Sequence, residues 1–206
     1  RHRGVVERLS DHPPTVINYL LALEGAMSEH LVGVDDVLAL HRTERPRFQA
    51  TIDRLLAEGG RTKGQQQAVR TVIDKMAERE ELLALVDDYR AMKESLGLVD
   101  FSDQIAGACL LAESHPDVGA AERDRYAVVL LDEYQDTSVA QARLLSALFS
   151  GPDPQHGQGH AVMAVGDPNQ AIYGWRGASV ANIFAFRDQF PKPDGGRADL
   201  LQLTVN

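Results

Sequence analysis

Ala127-Val128-Val129-Leu130-Leu131-Asp132-Glu133-Tyr134-Gln135-Asp136-Thr137 is the stretch on which the fold turns. An apolar run without interruption ends on two carboxylates. Such a run fits a strand buried on both faces, as in a parallel sheet. Ala161-Val162-Met163-Ala164-Val165 repeats the pattern and ends on Gly166-Asp167. In open parallel sheets, ligands bind beyond the carboxyl ends of the strands. Asp132, Glu133 and Asp167 are therefore expected on one rim. A carboxylate at that place suits Mg²⁺, which takes oxygen ligands and shares them with phosphates. A neighbouring carboxylate can orient an attacking water. The same two residues equally suit the N-cap of a following helix.

Working outward, strand and helix alternate in the second half. Val139 to Phe149 reads as a helix capped by Thr137 or Ser138. Gly151 to Gly159 holds three glycines and two prolines and reads as a loop. Ala178 to Phe190 is a helix stopped by Pro191, and Leu200 to Val205 is a third strand. Strand–helix–strand–helix–strand predicts a doubly wound α/β layout. The first half has helical periodicity instead. Thr15, behind Pro13-Pro14, is expected to cap a helix running to Ala26, with Ile17, Leu20, Leu21 and Leu23 to Glu24 at turn spacing. Val37 to Leu40 and Phe48 to Leu56 follow, and Gly59-Gly60 breaks the chain. Gln65 to Leu96 reads as one long helix or two abutting ones, with Val69, Val72, Ile73, Met76, Leu82, Leu83, Leu85, Val86 and Tyr89 turned inward and Gly97 as its stop. Phe101 to Leu111 is another helix, in which Cys109 reads as a buried thiol. The domains expected are a helical segment over 1–112 and a partial parallel-sheet domain over 113–206.

Composition agrees with a globular chain. The 206 residues are 44% apolar and 25% charged, which excludes a disordered tract, a collagen and a coiled coil. A lone cysteine excludes a disulfide scaffold and fits a reducing, cytoplasmic setting. No apolar run is long enough to span a bilayer, so no membrane partner is expected. The chain does not open with Met, and it reads as a window cut from a longer protein. The formal charge of −9 argues at first against a nucleic-acid partner. Locally the balance reverses. Between residues 42 and 75, Arg42, Arg45, Arg47, Arg54, Arg61, Lys63, Arg70 and Lys75 stand against Glu44, Asp53, Glu58 and Asp74. Clustered cations of this kind can track a phosphate backbone; they also suit a solvated, ion-paired helix face. His156 and His160 lack a third ligand nearby and do not form a metal site.

Longer strings carry more. Asp132-Glu133-Tyr134-Gln135-Asp136-Thr137 resembles the Walker B motif of superfamily 1 DNA helicases of the UvrD/Rep/PcrA kind. Gly166-Asp167-Pro168-Asn169-Gln170-Ala171-Ile172-Tyr173-Gly174-Trp175-Arg176-Gly177-Ala178 resembles the next motif of that family, and Tyr89, Lys93 and Leu98 to Asp103 resemble the entry to the domain. The resemblance implies a helical accessory (1B-like) subdomain followed by part of a RecA-like domain. It implies Mg²⁺ and ATP as cofactors, with Asp132 on the metal and Glu133 polarising the attacking water. Gln170 would sense the γ-phosphate, while Gln135, Asp136 and Asp167 couple the two motifs. Tyr173 and Trp175 would stack on bases of single-stranded DNA, with Arg176 supporting this aromatic segment or approaching the nucleic acid. The implied whole is a 3′ to 5′ DNA translocase acting on single strands and duplex junctions in repair or recombination.

The departures are as informative. No G-x-x-x-x-G-K-[ST] phosphate loop occurs; Gly59-Gly60-Arg61-Thr62-Lys63-Gly64 has its letters in another order, with no buried strand before it. By this reading the 206 residues alone do not hydrolyse ATP. The Gly151–Gly159 loop and Asp103-Gln104 are similar to helicase–nuclease subunits of the RecB/AdnAB type, which would add a second motor subunit as partner. A non-catalytic DNA-binding or interaction module is the alternative from another class.

Overall fold

The computed structural model describes residues 9, 12–57, 63–174 and 177–203. Two compact units emerge. The first takes the chain to Met27 together with Val32–Val99, and the second takes Ser28–Leu31 together with the chain from Asp100. Expectations that rest on Gly59 to Thr62, on Trp175 and Arg176, and on Thr204 to Asn206 lie outside the described residues.

The first unit is helical. Helix α1 spans Pro13–Glu29, α2 Val34–Ala57 and α3 Lys63–Ser95. Pro13 and Pro14 occupy the first turn of α1, where a missing N–H costs nothing, so Thr15 lies inside the helix rather than at its cap. Val37–Leu40 and Phe48–Leu56 belong to one helix, which continues through Pro46 despite the backbone bond that proline forfeits. Helix α3 is continuous. It ends in a Schellman turn: Gly97 takes φ +63°, Leu98 N–H donates to the Lys93 carbonyl at 2.9 Å and Gly97 N–H to the Glu94 carbonyl at 3.0 Å.

Met27, Leu83 and Val86 form the core of this unit, with Leu20, Leu23, Val34, Val37 and Leu38 packed against them. Ile17, Leu21 and Val72, expected inside, are exposed. The face of α3 that is buried includes Met76, Leu82, Leu83 and Val86. Beside that core Glu24 is buried, and its Oε1 accepts from Arg90 Nε at 3.2 Å and Lys93 Nζ at 3.3 Å. The Lys93 ammonium also sits 4.8 Å from the centroid of the Tyr89 ring. His41, likewise buried, has Nδ1 3.1 Å from Glu80 Oε1, which Arg45 also reaches at 2.6 Å. Charges enter this interior only in company, as their desolvation requires.

The second unit holds α4 (Phe101–Ser114), α5 (Pro116–Arg125), β1 (Val128–Leu131), α6 (Val139–Phe149), β2 (Ala161–Ala164) and α7 (Val180–Gln189). Capping boxes start two of its helices: Asp100 with Asp103 at α4, and Ser138 with Gln141 at α6. Helix α4 thus lies with the sheet-bearing unit, whereas the sequence reading grouped it with the first half. Helix α5 has no counterpart in the sequence reading. Its ten residues are mostly charged or small, and only Pro116 at its start signals it. Helix α6 packs against both α4 and α5. Cys109 is buried in α4, and that burial, followed by the charge of Glu113, pushes its thiol pKa upward.

β1 and β2 pair in parallel, Val128 opposite Ala161 and Leu131 opposite Ala164. Burial on both faces is not what the strands show. The register puts Val128, Leu130 and Met163 on one face, where they are 60%, 69% and 53% exposed. The opposite face is half-buried. Among the described residues no third strand forms: Leu200–Leu203 carries none, and Leu201 and Leu203 are 85% and 90% exposed. Strand formation needs a ladder partner; just upstream, the Ala198 N–H donates to the Arg187 carbonyl of α7 at 3.1 Å. The result is mostly helical with a two-stranded parallel sheet. No described helix is long and apolar enough to cross a membrane.

The interior of the second unit is fixed by aromatic contacts. Tyr134 meets Phe186 edge-on at 5.3 Å, and Phe186 stacks on Phe190 at 4.8 Å. Tyr134 is 1% exposed, its hydroxyl has no hydrogen-bond partner among the described residues, and burial pushes its pKa up to about 12. A buried hydroxyl without a partner costs about 1–3 kcal/mol. Tyr134→Phe is accordingly expected to raise stability by about 1 kcal/mol, visible as a higher thermal midpoint; a fall would mean that the hydroxyl is satisfied. Glu24→Ala removes the buried carboxylate that Arg90 and Lys93 share in the first unit and is expected to cost about 3 kcal/mol in chemical denaturation.

Candidate functional site

Both strands of the second unit end at the same rim. Val165 N–H donates to the Leu131 carbonyl at 2.8 Å, and Tyr134 N–H to the Val165 carbonyl at 3.0 Å. These two bonds stitch the chain after β1 to the chain after β2. Asp132 and Glu133 follow β1 directly, then a 3-10 turn over Tyr134–Asp136. Asp167 follows β2 and opens a second such turn over Pro168–Gln170. Parallel pairing therefore brings Asp132, Glu133, Asp167 and Gln170 to one edge.

Asp132 and Glu133 are exposed. Asp132 Oδ1 accepts from the Glu133 N–H at 2.9 Å, and its Oδ2 has no protein partner among the described residues. Neither residue caps α6, a role that Ser138 fills. Glu133 takes φ +50°, ψ +40°. A left-handed backbone is unfavourable for a residue with a Cβ, and strain of this kind clusters at functional sites.

Gln135 is the hub. It is 1% exposed; its Nε2 donates to Glu133 Oε2 at 2.6 Å and its Oε1 accepts from the Asp167 N–H at 3.1 Å. Asp167 in turn accepts from Gln170 Nε2 at 2.9 Å through Oδ2 and from the Asn169 N–H at 2.9 Å through Oδ1. An unbroken path of hydrogen bonds thus runs Glu133–Gln135–Asp167–Gln170. The Gln170 amide, and after it the Asn169 N–H, hold the Asp167 carboxyl below its ordinary 3.8. A depressed acid keeps its hydrogen bonds above the ordinary value and loses them only as pH falls through the lowered one, so this link is complete at neutral pH.

Gly166 makes the approach possible. A Cβ there would lie 2.4 Å from Gln135 Oε1 and 3.2 Å from the Gln135 backbone N. Asp136 adds a second bridge, Oδ1 accepting from the Ile172 N–H at 3.4 Å. Asn182 adds a third: from α7, its Nδ2 donates to the carbonyls of Thr137 and Ser138 at 2.8 and 3.2 Å. Sequence reasoning missed Gly166 as a spacer and Asn182 as an anchor. An amide residue set directly before Ile183-Phe184 in an otherwise apolar stretch was the available signal for Asn182.

Beyond Gln170 the chain forms a loop whose base is closed by Ala178 N–H to the Tyr173 carbonyl at 3.4 Å and Gly177 N–H to the Gly174 carbonyl at 3.2 Å. Ala178 bridges Ser138, so the loop base is fastened to the segment after Asp136. Tyr173 is 38% exposed. Trp175 and Arg176 lie outside the described residues.

Two motifs joined at a parallel-sheet rim match a known family. The family described as the UvrD/REP helicase N-terminal domain matches residues 22–191. The chain belongs to that family. DNA helicase II of Escherichia coli is 39% identical over 106 residues, which are 50% of this chain and 14% of that protein. The ATP-dependent DNA helicase PcrA of Leuconostoc citreum is 39% identical over 103 residues, 50% of this chain and 13% of its own. A probable DNA helicase II homolog of Rickettsia felis is 27% identical over 161 residues, 76% and 23%. The chain spans less than a quarter of the length of these UvrD-like relatives.

Among the described residues no group of three or more His, Cys, Asp or Glu side chains is arranged to hold a metal. One exposed carboxylate with an unused oxygen, as at Asp132, still fits Mg²⁺, which takes most of its ligands from water and phosphate. Gly166→Ala tests the hub directly. It is expected to displace the Gln135 amide and lower stability by about 1–3 kcal/mol; an unchanged thermal midpoint would show that Gln135 moves aside without cost.

Proposed function

We propose that the chain is part of the first motor region of an ATP-dependent DNA helicase, with the helical unit as its accessory 1B-like part and the sheet-bearing unit as part of its RecA-like motor. The observation that carries this reading is the path Glu133–Gln135–Asp167–Gln170. It joins a carboxylate suited to activating water with a side-chain amide suited to sensing a phosphate.

Asp132 would hold Mg²⁺, whose charge, shared with the phosphate oxygens, offsets the negative charge that builds up in phosphoryl transfer. Glu133 keeps one oxygen on Gln135 and has the other for a water, which it orients and whose proton it draws. Gln170 reports the state of the phosphate. A change in what Gln170 bonds is felt at Asp167, and through Gln135 at Glu133. The loop beginning at Tyr173 is continuous with Gln170 and tied to Asp136 through Ile172, so the same change reaches the residues assigned to DNA. Tyr173 and Trp175 stack on bases, an interaction that tolerates any sequence, and Arg176 supports them or approaches the nucleic acid. Single-stranded DNA and duplex junctions are the substrates, movement runs 3′ to 5′, and repair or recombination is the setting.

The basic segment of the first unit supports contact with nucleic acid less strongly. Arg45, Arg47 and Lys75 are ion-paired with Glu80, Glu44 and Glu78, which leaves fewer cations for phosphates than the sequence count suggests.

In the full-length protein, Glu133→Gln is expected to lower single-strand-stimulated ATP turnover at least about 100-fold while nucleotide binding persists. Turnover within a few fold of the parent would sink the role given to Glu133. The 206 residues alone are expected to release no phosphate from ATP with or without DNA, because they contain no phosphate-cradling loop; DNA-stimulated release in a colorimetric phosphate assay would refute that.

A further inference from the structure

Asn182 stands in the first turn of α7 and is 7% exposed. A buried amide must find partners, and Asn182 finds them on the chain that leaves the Tyr134–Asp136 turn. Its Nδ2 donates to the Thr137 carbonyl at 2.8 Å and to the Ser138 carbonyl at 3.2 Å. Neither carbonyl depends on it. Thr137 also accepts from the Ser179 N–H at 3.2 Å, and Ser138 from the Ala142 N–H at 3.0 Å. The amide therefore satisfies no backbone group that would otherwise be orphaned. What it does is fix where that backbone lies.

One turn along the same face of α7 comes Phe186, whose ring meets Tyr134 at 5.3 Å. Ile183 lies between the two in sequence, and a Cβ at Gly166 would come within 3.0 Å of its Cδ1. A single helix thus backs the turn at Tyr134, just before Gln135, and at Thr137, just after Asp136, and it flanks Gly166 beside them. The entry of the turn is also held by the Val165 carbonyl, 3.0 Å from the Tyr134 N–H. Gln135 sits between these fixed points, and its amide must reach Glu133 and Asp167 at once. Glu133 itself is left-handed, at φ +50°. Such strain persists only where the surrounding structure over-determines it; β1 holds the chain on one side of Glu133 and the turn holds it on the other. We propose that Asn182 is a positioning residue for the Glu133 carboxylate, acting through the turn that carries Gln135. This rests on the reading of Glu133 as the group that orients the attacking water.

The experiment uses the full-length protein and reads kcat and the KM for ATP at saturating oligo(dT). Glu133→Gln tests the water-orienting reading by itself. Asn182→Ala is expected to lower kcat about tenfold, as a small misplacement of a reacting group does, with the KM for ATP within about twofold. Asn182→Leu keeps the side-chain volume and loses the donor; it gives the same fall and serves if Asn182→Ala does not fold. On a Gln135→Met background, where the amide is already gone, Asn182→Ala lowers kcat by less than about twofold more, because changes that act through one group do not add. A kcat near the parent in both Asn182 variants, with Glu133→Gln impaired, overturns the proposal and leaves the reading of Glu133 in place. A fall on the Gln135→Met background as large as on the parent overturns it as well, since Asn182 then acts by another route. Failure of both Asn182 variants to fold makes Asn182 a structural residue and has the same consequence. Parental turnover in Glu133→Gln removes the water-orienting reading, and the proposal falls with it.

Discussion

The side-chain amide of Gln135 holds the candidate site together. It is short of solvent, so both of its polar ends must find partners inside the protein, and the two partners it finds belong to different motifs. One is the Glu133 carboxylate and the other is the Asp167 backbone. Rotating or moving this amide breaks both bonds at once. The strand ends are brought near enough by parallel pairing, and Gly166 supplies the space. Everything proposed about communication from nucleotide to nucleic acid depends on this one group having two directions.

The two units solve the problem of buried polarity differently. In the helical unit a carboxylate is taken inside with two cations, Glu24 with Arg90 and Lys93, and an imidazole is placed against Glu80. Such groups add little net stability over apolar side chains but punish any arrangement that separates them. In the sheet-bearing unit the buried polar groups are mainly neutral: Gln135, Ser138 and Asn182. Their bonds go largely to backbone, which fixes the path of the chain between the elements. The Asp132 and Glu133 carboxylates stay exposed at the rim, where a ligand and its counterions can reach them.

Much of this was legible beforehand. The two apolar runs and their terminal carboxylates placed β1, β2 and the rim, because an unbroken run ending in Asp has few other uses. Gly97 and Ser138 were readable as helix boundaries from their chemistry. Thr15 was misread because the prolines before it could enter the helix, and Pro46 hid the continuity of α2. Helix α5 escaped because its residues carry charge without periodicity. Among the described residues the expected third strand is absent for a tertiary reason: apolar alternation around Leu201 and Leu203 cannot make a strand without a ladder partner. Lys93 read as part of a motif, and its burial beside Glu24 could not be seen from one segment alone.

The sequence by itself determined the two strands, the family and the identities of the residues at the rim, since these follow from residue type and local spacing. Only the tertiary structure decided which of those residues touch. That Gln135 reaches from Glu133 across to Asp167, and that Gly166 leaves room for it, are relations between positions far apart in the chain. Hydrogen bonds require both partners within about 3 Å and correctly aimed. Such alignment is a property of packing and not of composition.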